Sequence, residues 1–119
     1  MEKIHKEQKE KEGNKFVPIV CNREKIYLNV NNIKYIERVS RKIRIVCEKG
    51  CFMINESLNI IGERLPEYFV RCHTGYIVNT KYINCLKNKN IVIKGGEEIS
   101  LGRAYKSKVK DFIKGAVGK

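Results

Sequence analysis

Histidine occurs only twice in this chain of 119 residues, and 13 acidic residues face 25 lysines and arginines. Each shortage removes a class of function. His5 sits in a charged N-terminal stretch, and His73 directly follows Cys72. Consecutive strand residues point to opposite faces, so Cys72 and His73 cannot pair there as nucleophile and base. The carboxylates are scattered: Glu97 and Glu98 flank a hairpin, while Glu63 and Glu67 straddle a helix end. No glycine-rich phosphate loop leads from a buried strand into a helix. Together these absences exclude catalysis as the expected role. Metal donors are short as well. Cys47 and Cys51 flank a Lys49-Gly50 turn, which leaves a redox thiol pair open, but no second Cys/His pair completes a tetrahedral set. Neither a metal nor a cofactor is expected. No apolar run approaches the roughly 18–20 residues that cross a bilayer, so no membrane partner is expected either.

What the chain has is positive charge. The formal net charge is +12, with a pI near 9.6. Residues 1–15 hold five Lys and four Glu and contribute only +1, so +11 falls on the remainder. A disordered basic tail does not explain the balance; a basic folded surface does. Such a surface favours a polyanion through counterion release and steering. The five cysteines (21, 47, 51, 72 and 85) are odd in number and no secretory leader precedes them. Reduced thiols and a cytoplasmic location follow as expectations. Cys21, Cys47, Cys72 and Cys85 lie in or beside apolar runs, the usual setting of small core hydrophobes.

The length fits one domain. Residues 1–15 read as a charged linker and residues 16–119 as the folded part. From Phe16 onward, short runs alternate apolar and polar residues, a strand period. Strands are predicted at Phe16–Cys21, Lys25–Val30, Ile33–Val39, Lys42–Glu48 and Cys51–Ile54, and Pro18 marks the first as an edge. Leu58, Ile61 and Leu65 recur at helical spacing, which predicts a helix over Asn55–Leu65 with Asn55 as cap and Pro66 as stop. Strands resume at Tyr68–Cys72, Tyr76–Val78, Tyr82–Lys87, Asn90–Lys94 and Glu97–Leu101, the last two joined by a tight Gly95-Gly96 turn. Val109, Phe112 and Ile113 predict a C-terminal helix over Tyr105–Ala116. The expected fold is mainly β: layered antiparallel sheets with one short internal helix and a C-terminal one.

Three polar tips stand out between these elements. Ser40-Arg41-Lys42, with Arg38 and Arg44 beside it, reads either as a nucleic-acid contact or as an ordinary solvated turn. His73-Thr74-Gly75, next to Arg71, reads as a contact or as a turn in which His73 caps the backbone and Gly75 permits a sharp bend. Gly102-Arg103, with Lys106, reads as a contact or as solubilising charge. Arg suits bidentate contact to guanine and Lys suits phosphate.

The chain resembles the LytTR-type DNA-binding domain, the output module of bacterial response regulators. The resemblance runs from Phe16 to about Lys114. It rests on Ile33-Lys34-Tyr35-Ile36-Glu37, on Glu56-Ser57-Leu58 leading to Leu65-Pro66, and on Phe69-Val70-Arg71-Cys72-His73 with Tyr76-Ile77-Val78-Asn79. Tyr82-Ile83 and Arg103 before Tyr105-Lys106 complete it. It implies a layered antiparallel fold, and DNA binding by loops into successive major grooves. The family's first reading position falls near Lys42-Ile43, where some members carry His; Arg41 or Lys42 would act here. The second falls at Thr74, Asn in some relatives, and the third at Arg103. Cys72 matches one half of a redox pair known in some relatives, but the other half falls near Glu98, so that switch is not expected.

The reading is sequence-specific double-stranded DNA binding, as the output domain of a bacterial transcriptional regulator. Arg103 reads bases, Arg41, Lys42 and Thr74 contact bases and phosphates, and Arg44, Arg71 and Lys106 position phosphates. The implied partners are DNA with tandem half-sites and an N-terminal receiver domain, the domain being a monomer alone and a dimer on DNA. The alternative is single-stranded DNA or RNA binding on a small basic β scaffold. That mode needs exposed aromatics for stacking, whereas Tyr35, Phe52, Phe69 and Tyr76 sit in runs expected to be buried.

Overall fold

The computed structural model describes residues 15–118, so the charged stretch 1–15, Lys15 apart, lies outside the described residues. Ten strands follow in order: β1 (Phe16–Cys21), β2 (Glu24–Asn29), β3 (Ile33–Val39), β4 (Lys42–Cys47), β5 (Gly50–Ile54), β6 (Phe69–His73), β7 (Tyr76–Asn79), β8 (Ile83–Leu86), β9 (Asn90–Ile93) and β10 (Glu98–Ser100). Helix α1 (Leu58–Gly62) stands between β5 and β6, and α2 (Lys106–Gly118) closes the chain. All described pairings are antiparallel.

Alternation of apolar and polar residues builds three layers. The central sheet has the order β5-β4-β3-β7-β6; the β1-β2 hairpin and a β10-β9-β8 sheet are separate. Ile33, Ile36, Ile43 and Ile45 turn one face of the central sheet toward Val17 and Ile19 of the hairpin and Leu58 and Ile61 of α1. Val70, Cys72 and Val78 face the other way, against Ile91, Ile93 and Ile99 of the third layer and Val109 of α2. Ile33, Ile36, Ile43, Ile45, Ile61, Ile91 and Ile93 are wholly enclosed. Burying one such side chain stabilises by roughly 1.5–3 kcal/mol.

Several expectations need correction. The internal helix is shorter than Asn55–Leu65, and its cap is Ser57, whose Oγ accepts the Ile60 amide at 3.1 Å. The Ser hydroxyl takes the orphan N–H of the helix's third residue, and the extended backbone of Ser57 (φ −104, ψ 160) marks the helix start. Tyr82 belongs to a 3-10 turn over Thr80–Tyr82 rather than to a strand, and Arg103–Tyr105 form another before α2. Cys85 is exposed because it lies opposite Val92, on the face of its sheet turned away from buried Ile91 and Ile93. Cys72 is enclosed as expected, and Cys21 and Cys47 are half-buried. Register disposes of the Cys47–Cys51 thiol pair. Cys47 lies opposite Gly50 and Cys51 opposite Val46, so the two side chains leave opposite faces of the sheet.

The ends of the molecule differ. At one end the β4–β5 turn and the 3-10 turns Val30–Asn32 and Thr80–Tyr82 are tied down: Tyr82 Oη donates to the carbonyl of Asn31 at 2.9 Å and also meets Glu48, and Lys34 pairs with Glu97 at 2.6 Å. Asn79, wholly buried, donates to the Ile33 carbonyl at 2.8 Å and accepts the Lys81 amide at 2.9 Å. The basic turns gather at the opposite end.

Candidate nucleic-acid interface

Antiparallel pairing brings the sequence-distant tips together. Glu37 of β3 pairs with Tyr76 of β7, and Val39 pairs with Lys42 of β4. The C-terminal end of β3 and the N-terminal end of β7 therefore coincide, and the β3–β4 and β6–β7 turns emerge side by side. The Arg38 amide donates to the Gly75 carbonyl at 2.9 Å, joining the two directly. The Gly102 amide donates to the Cys72 carbonyl at 2.8 Å, which sets Arg103 beside the second turn. Sequence reasoning named these tips; the sheet register makes them one row.

The first tip is a two-residue hairpin turn. Ser40 has φ +61, and Arg41 and Lys42 are exposed. Ile43, near the first reading position implied by resemblance, is wholly buried and faces the core. Any contact with a base from this tip therefore falls to Arg41 or Lys42. Arg44, expected on phosphate, is paired within the fold: it lies opposite Glu37 across the β3–β4 ladder, with Nε 2.7 Å from the carboxylate and Nη2 also against it. That hydrogen bond raises the Arg44 pKa further, so the guanidinium stays charged and cancels Glu37. Tyr76 and Tyr35 are both pushed up, first by burial and then by neighbouring carboxylates, and keep their protons.

The second tip is braced from within. A β-bulge falls between Arg71 and His73 in the β6–β7 ladder; bulges re-aim the side chains around them. Arg71 Nε donates to the His73 carbonyl at 3.0 Å, Nη2 to the Thr74 carbonyl at 2.7 Å, and Nη1 to Asn59 Oδ1 at 3.0 Å. Two of the five donors of a guanidinium are thus turned onto the tip itself, and a third onto Asn59 of α1. Arg71, expected on phosphate, thus braces this turn in the free chain. His73 Nδ1 accepts the Gly75 amide at 3.0 Å, the capping alternative read from the sequence, and its ring meets Tyr76 edge-on. Gly75 has no left-handed φ, so no glycine-only bend occurs there. Thr74 is exposed at the apex.

The third tip begins at Gly102, whose backbone is extended (φ −76, ψ 146) rather than sharply bent. Space is tight there: a Cβ would stand 3.2 Å from Tyr105 Cδ2 and 3.5 Å from His73 Cδ2, so the Tyr105 ring would have to shift slightly to admit one. Arg103 is exposed. Lys106 is half-buried, and its Nζ donates to Asn88 Oδ1 at 3.0 Å, while the Leu101 amide bonds the Lys89 carbonyl at 2.9 Å. The β8–β9 turn, with exposed Lys87, Asn88 and Lys89, is thus part of this corner. Sequence reading missed it; the signal available was a second basic turn between two short strands.

Of the rings expected to be buried, only Phe69 is fully so, and two other aromatics are exposed. Tyr27 is 58 % exposed and Phe16 44 % exposed, both in the hairpin layer. Tyr35, Phe52 and Tyr76 are half-buried and Phe69 buried. The three basic tips carry no exposed aromatic among them, so they offer no stacking platform. Among the described residues no cluster of three or more His, Cys, Asp or Glu could hold a metal, and no helix is long and apolar enough to cross a membrane.

The model of the LytTr DNA-binding domain family matches residues 23–114. The chain belongs to this family. It is a DNA-binding family and not an enzyme family. Among curated proteins, the chain is similar to the sensory transduction protein LytT of Bacillus cereus, at 22% identity over 95 residues, covering 75% of this chain and 39% of the relative. LytT of Bacillus subtilis (strain 168) matches at 22% identity over 94 residues, with 74% and 39% covered. The chain therefore spans about two fifths of the length of these relatives. Among solved structures it is similar to the LytTr DNA-binding domain of a methyl-accepting/DNA response regulator from Bacillus cereus. The TM-score is 0.72 at 21% identity, covering 85% of this chain and 98% of the other, which establishes the LytTr fold.

Proposed function

We propose that this LytTr domain binds double-stranded DNA sequence-specifically through its turns, as the output domain of a bacterial transcriptional regulator of the response-regulator type. The observation that carries the reading is the row of basic turns at one end of the central sheet, linked through Arg38–Gly75 and Cys72–Gly102. The carboxylates beside it are held: Glu37 by Arg44 and Glu56 by Arg64. Such a row lays fixed points along a duplex instead of inserting a recognition helix.

In this reading Arg103 contacts guanine, and Arg41, Lys42 and Thr74 contact both bases and phosphates. Lys106, with Lys89 near it, anchors phosphate, while Arg44 and Arg71 act from behind by shaping the turns. The relatives' description as sensory transduction proteins supports a signalling context, with an N-terminal receiver domain as the coupled partner and a cytoplasmic site of action. The domain alone is a monomer, because its short strands offer no extended apolar seam, and two copies assemble on tandem half-sites.

The test is competition between a duplex and each of its single strands at fixed salt, followed by a salt titration. Preference for the duplex and a log–log slope of about −5 to −7, for roughly six to eight phosphate contacts, are expected. Preference for a single strand would instead favour the RNA or single-strand mode.

A further inference from the structure

We propose that the β1–β2 turn, Asn22-Arg23, is a fourth contact to the DNA backbone, holding a phosphate beyond the base pairs faced by the other turns. The inference rests on the DNA-binding reading above. Its first support is placement. Arg23 and Asn22 share a shallow cleft of about 390 Å³ with Lys42 and Asn55. The hairpin turn therefore stands at the same end of the molecule as Ser40-Arg41, although β1 and β2 belong to a different layer.

The second support is availability. Arg44, Arg64 and Arg71 are all tied to protein acceptors. Arg23 is exposed and, among the described residues, has neither a hydrogen bond nor an ion pair. The carboxylate in the cleft wall, Glu56, is held by Arg64 at 2.7 Å. Glu24, next in the chain, is exposed and forms no ion pair with Arg23 among the described residues. A free guanidinium fork matches the oxygens of a phosphate.

The third support is conformation. Cys21 pairs with Glu24, leaving Asn22 (φ +54) and Arg23 (φ +69) as the central residues of a two-residue turn. A turn with both central residues at positive φ is best served by Asn-Gly. Asn occupies the first place, but Arg stands where glycine would be unstrained. A bulky residue held against its backbone preference, with no hydrogen bond or ion pair among the described residues to offset that, points to a role outside the fold.

The links between turns give the order of the row: Arg23 beside Lys42, then Arg38 to Gly75, then Cys72 to Gly102. Arg23 lies at one end and Arg103 at the other. Its phosphate therefore flanks the segment that Thr74 and Arg103 face, and its contribution carries no sequence information.

The test uses the 119-residue chain, Arg23→Gly and Arg103→Ala. Each is titrated onto a duplex selected from a random library, with long or trimmed flanks, over a range of salt. Arg23→Gly should keep or raise the thermal midpoint, since glycine suits the turn. It should weaken binding about five-fold near 0.15 M salt and lower the log–log slope by about 0.9, the signature of one lost phosphate contact. The ratio of specific to nonspecific affinity should not change. Trimming the flank on the hairpin side should cost the native chain the same factor and the variant nothing. Unchanged affinity and slope for Arg23→Gly, while the native chain binds the duplex normally and Arg103→Ala loses discrimination, would overturn the proposal and leave the DNA-binding reading standing. If the native chain shows no salt-dependent duplex binding, that reading fails and this contact falls with it.

Discussion

Arg71 Nη2 donates to the carbonyl of Thr74 at 2.7 Å, so the residue beneath the second tip grips the backbone of the residue at its apex. Arg71→Ala should free the turn and reduce discrimination among duplexes. It should destabilise the fold by only about 1 kcal/mol, because these are partly exposed hydrogen bonds to a charged group. The salt slope separates this role from a phosphate contact. The slope should stay where it is; a fall of about one would put Arg71 on the DNA backbone after all.

Arg103→Ala should relax one position of the site, at about 1–3 kcal/mol of discrimination, with general affinity little changed. Lys106→Ala should weaken binding to all sequences alike and lower the slope by about one. The measurement is the ratio of specific to nonspecific affinity at fixed salt, with circular dichroism as folding control. The opposite pattern would exchange the roles of reader and anchor.

These assignments show what was legible in the sequence. Strand period placed most of the strands, because alternation such as Ile43-Arg44-Ile45 allows only one face inward, while the grouping of strands into three sheets came from their pairing. The tips were legible as charged turns. What was not legible is which charges the fold consumes. Arg71 and Arg44 look in sequence like Arg103, but their acceptors, Thr74, His73 and Glu37, are set by a bulge and a cross-strand register. Arg23 was hidden for the reverse reason. It reads as a plain turn residue until hairpin packing sets it beside Lys42. The helix was overextended because Leu65 keeps the apolar spacing while Ser57 fixes the start.

Asn79 is wholly enclosed, satisfying the Ile33 carbonyl and the Lys81 amide. Asn79→Leu would strand both groups, and an unfolding free energy lower by about 2–4 kcal/mol is expected from urea denaturation. It lies at the C-terminal end of β7, away from the tips. Salt slope and discrimination should therefore match the native chain well below the new midpoint. A loss of discrimination there would tie this end to the interface.

Burial pushes the thiol of Cys72 up from 9.0 to about 12, and that of Cys47 to about 11. Each folded value lies above the unfolded one, so the stability they contribute is complete below about pH 9. It is lost as pH climbs toward the folded values. The urea midpoint should fall between about pH 9 and 11, and less steeply in Cys72→Ala. At pH 8 a thiol reagent should label exposed Cys51 and Cys85 first. Cys72 should react only on unfolding, and rapid labelling of native Cys72 would contradict its enclosure.

The bond from the Arg38 amide to the Gly75 carbonyl fixes more than two turns. Neighbouring strands lie about 4.8 Å apart, and the β3–β7 register is locked by its own ladder. The separation between these two turns is therefore a ruler cut before DNA arrives. In the proposed reading, exchanging side chains at the turn apices would change which letters are read, without moving the marks on that ruler. A site with a substituted base is a mismatch at one mark; a site with a base pair inserted between the marks is out of step with the protein, and no single side-chain change restores the pitch.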